Sequence, residues 1–369
     1  MITALEFFSV RVSPRGNWNL LRLTTDRGLT GLGEATHALG FTRASAKDDA
    51  RIKATVEYFF GRYLRGLRPG QVEEFREDAW GEARAGGLLA ATAFSALEQA
   101  MWDLRGKEEG ATLRELCGDA VRERVPAYAN INRAANRRTP EDFAEKTRQA
   151  VANGFRAIKA AVFDDYPNAS LEAGIARLEA MRRASGDEIE LMVDCHSRFD
   201  PELAVEVARR LEPLGLRWYE EPIDPVRTEE TASIRRAIHQ PMAGGELFFG
   251  LEGFEPLLEA DAVDVIMPDA KHCGGVLELR RIAALAEDRG IEVSPHNPSG
   301  PVSMAVSCQV AAALPNCQIH EHAWGEADWR AELVEPLEQF EDGQYVLSNG
   351  PGIGIELNER AVAARSSRP

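Results

Sequence analysis

Residues 191–200 read LMVDCHSRFD, an apolar run that ends in an aspartate and a histidine two positions apart. In a strand, residues i and i+2 share a face. Asp194 and His196 would therefore point one way and Cys195 the other. Taken alone, such a pair is most simply a strand running out into solvent.

The stretches that follow change that reading. Apolar runs recur as IELMVD, LRWYEE, QPMAGGE, VDVIMPD, IEVSPH and CQIHE, and they deliver Asp194, Glu220, Glu246, Asp269, His296 and Glu321 at or beside their C-terminal ends. Successive members of that series are 26, 26, 23, 27 and 25 residues apart. One strand, one helix of about three turns and two short loops fill such an interval. Thr139-Pro140 and Asp200-Pro201 supply an N-cap followed by proline at the first helical position. Strands alternating with capped helices imply a parallel sheet. The number of units implies a closed α/β barrel, in which the C-terminal strand ends form the mouth. Asp194 then becomes one of six ionisable groups aimed at a single spot.

Toward the N-terminus the pattern differs. NLLRLTTDRGLTGLGEA places two alternating runs around the turn Asp26-Arg27-Gly28, and residues 45–118 have helical periodicity, with LLAATAFSALEQAMWDLRGK the clearest amphipathic segment. We expect a small α+β domain over 1–124 and the barrel over 125–339.

Composition sets limits. The chain has 369 residues, 44% hydrophobic and 28% charged, and it contains no apolar run of about 18 residues, so no membrane partner is expected. The start, MITALEFFSVRV, alternates like a strand and does not read as a signal peptide. Cys117, Cys195, Cys273, Cys308 and Cys317 are scattered without CxxC spacing, which predicts reduced thiols and a cytoplasmic location. A net charge of −16 excludes nucleic acid as the natural partner and leaves an anionic substrate in need of a local positive centre.

The ring of strand ends offers one. Asp194, Glu220 and Glu246 on adjacent strands would repel one another and raise each other's pKa, unless each is separately solvated. A hard divalent cation removes the conflict, and an all-oxygen set with open positions favours Mg²⁺. Asp269 and His296 lie on the next two strands. A carboxylate that accepts from one imidazole nitrogen fixes the tautomer and makes the other nitrogen a better base. His196 faces that base as a candidate acid. A metal centre and a base across a cavity suit removal of a proton next to a carboxylate.

At this point the chain resembles a family. The segments TTDRGLTGLGE, FSALEQAMWDLRGK, MVDCH, YEEP, GGE, MPDAKHCGG and SPHNPSGP are similar, in order, to those of the enolase superfamily in its mandelate racemase subgroup. The resemblance implies a modified TIM barrel, (β/α)7β, with an N-terminal α+β capping domain completed by a C-terminal tail, here 340–369. It implies Mg²⁺ held by Asp194, Glu220 (the first glutamate of YEEP) and Glu246. DCHSR is most similar to the acid sugar dehydratases of galactonate dehydratase type. That similarity implies that His296, paired with Asp269, takes the α-proton while His196 protonates the departing β-hydroxyl, giving a 2-keto-3-deoxy acid. Glu321 stands where relatives hydrogen-bond the enediolate. An epimerase, racemase or cycloisomerase of a carboxylic acid on the same scaffold is the alternative.

Racemases of the subgroup carry Lys-x-Lys on the second barrel strand. Here Lys159 is present but its partner position is Ala161, which disfavours a lysine second base. Lys159 is read either as a group that places the substrate carboxylate or as a bystander. Strand parity turns His320 and His322 away from the barrel and Glu292 inward without an evident partner, while His272 and Cys273 fall in a loop at the mouth. Arg15, Asn17, His37 and Arg43 on the front loops are candidate substrate contacts. Relatives commonly form homo-oligomers, so self-association is expected.

Overall fold

The computed structural model describes residues 1–13, 16–36, 46–118 and 122–367. Strands β1 (Ile2–Ser13), β2 (Gly16–Thr25) and β3 (Thr30–Glu34) form an antiparallel sheet, followed by α1 (Ala46–Phe59), α2 (Val72–Ala85), α3 (Gly87–Glu109) and the short α4 (Leu113–Cys117).

Eight parallel strands follow: β4 (Arg124–Asn130), β5 (Ala157–Ala160), β6 (Glu190–Asp194), β7 (Leu216–Glu220), β8 (Met242–Gly244), β9 (Val265–Ile266), β10 (Glu292–Val293) and β11 (His320–Ala323). Each of β4 to β9 pairs with the next, and β11 pairs with β4. Between β10 and β11 the seam is made by a bridge from Val293 to Cys317 and by the Glu321 N–H donating to the Pro295 carbonyl at 3.4 Å. Seven helices occupy the crossovers: α5 (Pro140–Ala152), α6 (Leu171–Ser185), α7 (Pro201–Leu211), α8 (Thr228–Ala237), α9 (Leu251–Glu259), α10 (Gly275–Glu287) and α11 (Pro301–Ala311). This is the expected (β/α)7β order. Thr139 caps α5 and Asp200 caps α7 by accepting from Asp142 N and Leu203 N, each with proline at the first turn.

The barrel interior is a layer of Tyr128, Ala157, Met192, Trp218, Ala243, Val265, Met267 and Ile319. Two residues beyond several of these lie Asn130, Lys159, Asp194, Glu220, Asp269 and Glu321. The period of two that packs the barrel floor thus carries these polar groups to the mouth.

The expectation of an amphipathic helix at residues 88–107 is corrected. Every residue of α3 from Ala90 to Leu104 is buried, because one side packs on the front sheet and another on α10. Gly33 allows the sheet contact, since a Cβ there would stand 2.0 Å from the Ala96 carbonyl oxygen. Polar residues of this region tie the two halves together. Glu98 accepts from the backbone N–H groups of Val276 (2.7 Å) and Leu277 (3.0 Å) at the start of α10. Glu34, at the end of β3, accepts from Gly300 N (2.7 Å) and Ser303 N (2.9 Å) at the start of α11. Carboxylates at helix N-termini satisfy otherwise orphaned N–H groups and meet the positive end of the dipole.

The hairpin Phe340–Glu341 and Gln344–Val346 extends the barrel sheet at β4. The tail meets the N-terminal region after it: Ile353 N donates to Asp103 (2.9 Å) and Ser366–Ser367 pairs with β1. Among the described residues no helix is long and apolar enough to cross a membrane, and all five cysteines are free and buried. Glu292 has the partner its sequence position did not reveal, Arg217 at 2.8 Å.

Candidate active site

Asp194 and Glu220 arrive on the ends of β6 and β7, and Glu246 follows β8 after a turn through Gly245 (φ +97°). One oxygen from each carboxylate lies within 4.8 Å of the others, and all three residues are buried. Glu246 Oε2 is buried without a hydrogen bond. Burial, with Asp194 and Glu321 as like charges, outweighs Lys159 and pushes Glu220 up to about 8. Burial and the neighbouring Glu221, Asp194 and Glu220 carry Glu246 well above the usual carboxylate range. An orphaned carboxylate oxygen inside a crowded, buried, all-oxygen set is the environment a hard divalent cation neutralises. The residues present therefore fit such an ion.

Across the barrel, His296 Nδ1 lies 2.8 Å from Asp269 Oδ2, and His296 Nε2 lies 3.3 Å from Glu246 Oε2 and 3.9 Å from Glu321 Oε2. The Nδ1–H donates to the carboxylate, which leaves Nε2 as the basic nitrogen facing the triad. Burial lowers the His296 pKa against the pull of Glu321 and Asp269.

Sequence reading passed over Lys271 in MPDAKHCGG. Its ammonium is fully buried and hydrogen-bonded to Asp269 Oδ2, and its backbone N–H donates to Asp269 Oδ1 at 2.8 Å. Asp269 is held far below its ordinary pKa: burial opposes ionisation, but Lys271, His272 and His296 overcome it.

His196 reaches the triad by a route other than strand parity. β6 ends at Asp194, and His196 lies beyond it in the left-handed region, φ +44°. Its backbone N–H donates to Asp194 Oδ1 (2.9 Å) and its Nε2 lies 2.7 Å from Asp194 Oδ2. Nδ1 lies 2.5 Å from Asp164 Oδ1, a residue with no sequence signal. Burial opposes the imidazolium charge, yet Asp194 and Asp164 hold the His196 pKa well above 6.5.

Lys159 is buried between two carboxylates, 2.7 Å from Glu220 Oε1 and 3.2 Å from Glu321 Oε1. Glu321 also accepts from Asn130 Nδ2 (2.6 Å) and Asn297 N (2.8 Å); Lys159 and then His296 outweigh its burial and lower it to about 2. Asn130 was legible in principle, two residues after the interior Tyr128. Glu221, the second glutamate of YEEP, accepts from Gly245 N at 2.8 Å and so fixes the turn that presents Glu246.

The remaining candidates fall elsewhere. His320 turns away from the barrel to Ser307 Oγ (2.7 Å), and His322 packs between the rings of Phe155 and Phe340. His272 sits behind the Asp269 pair with Nδ1 2.9 Å from Thr92 Oγ1, and burial takes it down to about 3. The Cys273 thiol is buried and turned to the Gly275 carbonyl. Asn17 donates to Ser9 (3.0 Å) and Asp49 (2.6 Å). Arg15, His37 and Arg43 lie outside the described residues.

Residues 142–361 match the family model described as enolase C-terminal domain-like, and residues 9–118 match that of the mandelate racemase/muconate lactonizing enzyme N-terminal domain. The chain is 33% identical to D-gluconate dehydratase of Thermoproteus tenax, over 95% of this chain and 70% of that protein. It is 28% identical to D-galactonate dehydratase of Ralstonia pickettii (96% and 92% covered) and 32% identical to D-galactarolactone cycloisomerase of Agrobacterium fabrum (98% and 94% covered). The matched models together with the barrel, its capping sheet and the carboxylate triad make the chain a member of the enolase superfamily, in its mandelate racemase subgroup.

Proposed function

We propose that this enzyme is a Mg²⁺-dependent dehydratase of a sugar acid. The observation that carries the reading is the pair of histidines on opposite sides of one carboxylate triad. One is paired through Nδ1 with Asp269 at 2.8 Å, and the other stands between Asp164 (2.5 Å) and Asp194 (2.7 Å).

Asp194, Glu220 and Glu246 would hold the cation. When bound, it supplies positive charge that binds the substrate carboxylate and acidifies the neighbouring C–H. His296 Nε2 accepts the α-proton, and Asp269 keeps the Nδ1–H in place as the ring becomes charged. Lys159, Asn130 and Glu321 form a fixed polar wall beside the reacting carbon. His196 gives a proton to the β-hydroxyl, which leaves as water. The resulting enol tautomerises to a 2-keto-3-deoxy acid. Free buried thiols support the cytoplasmic placement of this reading.

A second reading, epimerisation or cycloisomerisation of a carboxylic acid, is favoured by the likeness to the Agrobacterium cycloisomerase. Both readings use His296 as a base, and they part at the β-hydroxyl. Purified enzyme with MgCl₂ is incubated with a panel of aldonic and aldaric acids, and α-keto acid is trapped as semicarbazone. Keto acid that disappears with EDTA is the expected result. Solvent deuterium entering the α-position without keto acid would replace the dehydratase by the second reading.

A further inference from the structure

The geometry points to Asp164 as the positioning residue of His196, so that the site contains two histidine–aspartate pairs instead of one. This inference rests on the reading of His196 as the dehydration acid. It adds a residue outside the barrel strands, and what that residue does can be measured separately.

His196 needs such a partner because the sheet does not hold it. The strand stops at Asp194, and the next residues turn back through positive φ at His196 (+44°) and Ser197 (+57°). Backbone hydrogen bonds pin the turn itself, with Ser197 N donating to the Glu221 carbonyl (2.8 Å) and Arg198 N to the Cys195 carbonyl (3.1 Å). These bonds fix the Cα of His196 and leave the ring to be set by its own contacts. Nε2 faces Asp194 Oδ2 at 2.7 Å, and Nδ1 meets Asp164 Oδ1 at 2.5 Å.

Asp164 is itself braced. It lies in the turn after β5, and its other oxygen accepts from Asn132 Nδ2 at 3.2 Å with Arg138 Nη1 3.9 Å away. The adjacent Asp165 forms a bidentate pair with Arg177 of α6, at 2.5 and 2.6 Å. Arg177 also donates to the Val162 carbonyl at 2.8 Å. The turn is therefore fastened to the barrel's outer helix, and Asp164 is presented at a set height over the mouth. A carboxylate on Nδ1 fixes which nitrogen faces the reaction and in what plane. Asp269 makes that contact to His296 from a strand end; Asp164 makes it to His196 from a loop.

Two measurements test this. First, crystal structures of the Mg²⁺-loaded wild type and Asp164→Ala are compared, with no substrate required. The ring is expected to leave its wild-type plane in the variant; a ring that keeps its place and hydrogen-bonding direction overturns the proposal. Second, wild type, Asp164→Ala, Asp164→Asn and His196→Asn are assayed in D₂O with whichever panel acid the wild type converts. Removing a partner of this kind typically lowers activity about 10–100-fold. Dehydration is expected to fall by that factor in Asp164→Ala while α-deuterium exchange stays within about threefold. Asp164→Asn, whose amide oxygen still accepts from Nδ1–H, should recover part of the loss. Equal loss of exchange and dehydration would mean a structural role, and unchanged dehydration would mean none. If His196→Asn dehydrates normally, the acid assignment fails, and the crystallographic comparison still decides whether Asp164 sets the ring.

Discussion

His296 and His196 follow the seventh and third strands of an eight-strand ring, each against an aspartate, yet their surroundings push their pKa values in opposite directions. His296 is almost wholly buried; its aspartate is shared with the Lys271 ammonium, and burial keeps the ring neutral. His196 keeps a side-chain exposure of 20% and sits between two carboxylates, Asp194 and Asp164, which hold its pKa well above the usual imidazole value. The same two residue types are thus placed in the opposite electrostatic surroundings that the proposed base and acid require, with burial and the number of carboxylates against the ring as the difference.

The largest break in that comparison is His296→Asn. With the proton acceptor gone, both α-deuterium exchange and keto acid formation should fall by about 10³-fold or more, within the range for a lost general base. Exchange surviving at the wild-type rate would move the base elsewhere. His196→Asn should lower dehydration by about 10²-fold while exchange persists, because its contribution comes after the α-proton has left.

Lys271→Met sharpens the contrast from the other direction. The ammonium of Lys271 depresses the His296 pKa, so its removal should raise it. A base must be unprotonated, hence the acidic limb of kcat/KM, measured at saturating Mg²⁺, should move to higher pH. Stability should also drop by about 3–5 kcal/mol, since half of a buried ion pair is left behind. Lys271→Arg should retain most of the stability. An unmoved acidic limb in soluble Lys271→Met would remove Lys271 from any part in setting the base, whereas Lys271→Arg, which keeps the charge, should leave the limb in place.

What could be read from the sequence follows the periodicity of each element. Strand parity carried Asp194, Glu220, Asp269 and Glu321 to the mouth correctly, and the helix caps at Thr139 and Asp200 were local signals that held. His196 does stand beside the triad, but strand spacing did not explain its place, because the chain had already left the sheet. Asp164 was invisible: it belongs to a turn, where no period relates one residue's direction to the next. Lys271 was likewise in plain sight and unassigned, since only the fold brings its ammonium back onto the residue two before it. The carboxylates that join cap to barrel left no local mark either, as Glu98 and Glu34 reach backbone groups 178 to 269 residues away.

Glu98 is also the control for the comparison, and it should have the smallest effect on turnover. It is a fully buried carboxylate like those of the site, but it faces backbone N–H groups and Trp102 instead of a histidine. Burial raises it from 4.5 to about 7 despite those bonds. The folded state therefore prefers the protonated form. The stabilisation this gives is complete below about pH 4.5 and is lost as pH rises through about 7. At about 1.4 kcal/mol per unit, the span is worth about 3 kcal/mol. Urea midpoints measured across that window should fall with pH more steeply for wild type than for Glu98→Gln, while keto acid formation at the optimum pH stays the same. Parallel midpoint curves would mean that Glu98 is ionised throughout. Its hydrogen bonds from Trp102, Val276 and Leu277 would then outweigh its burial.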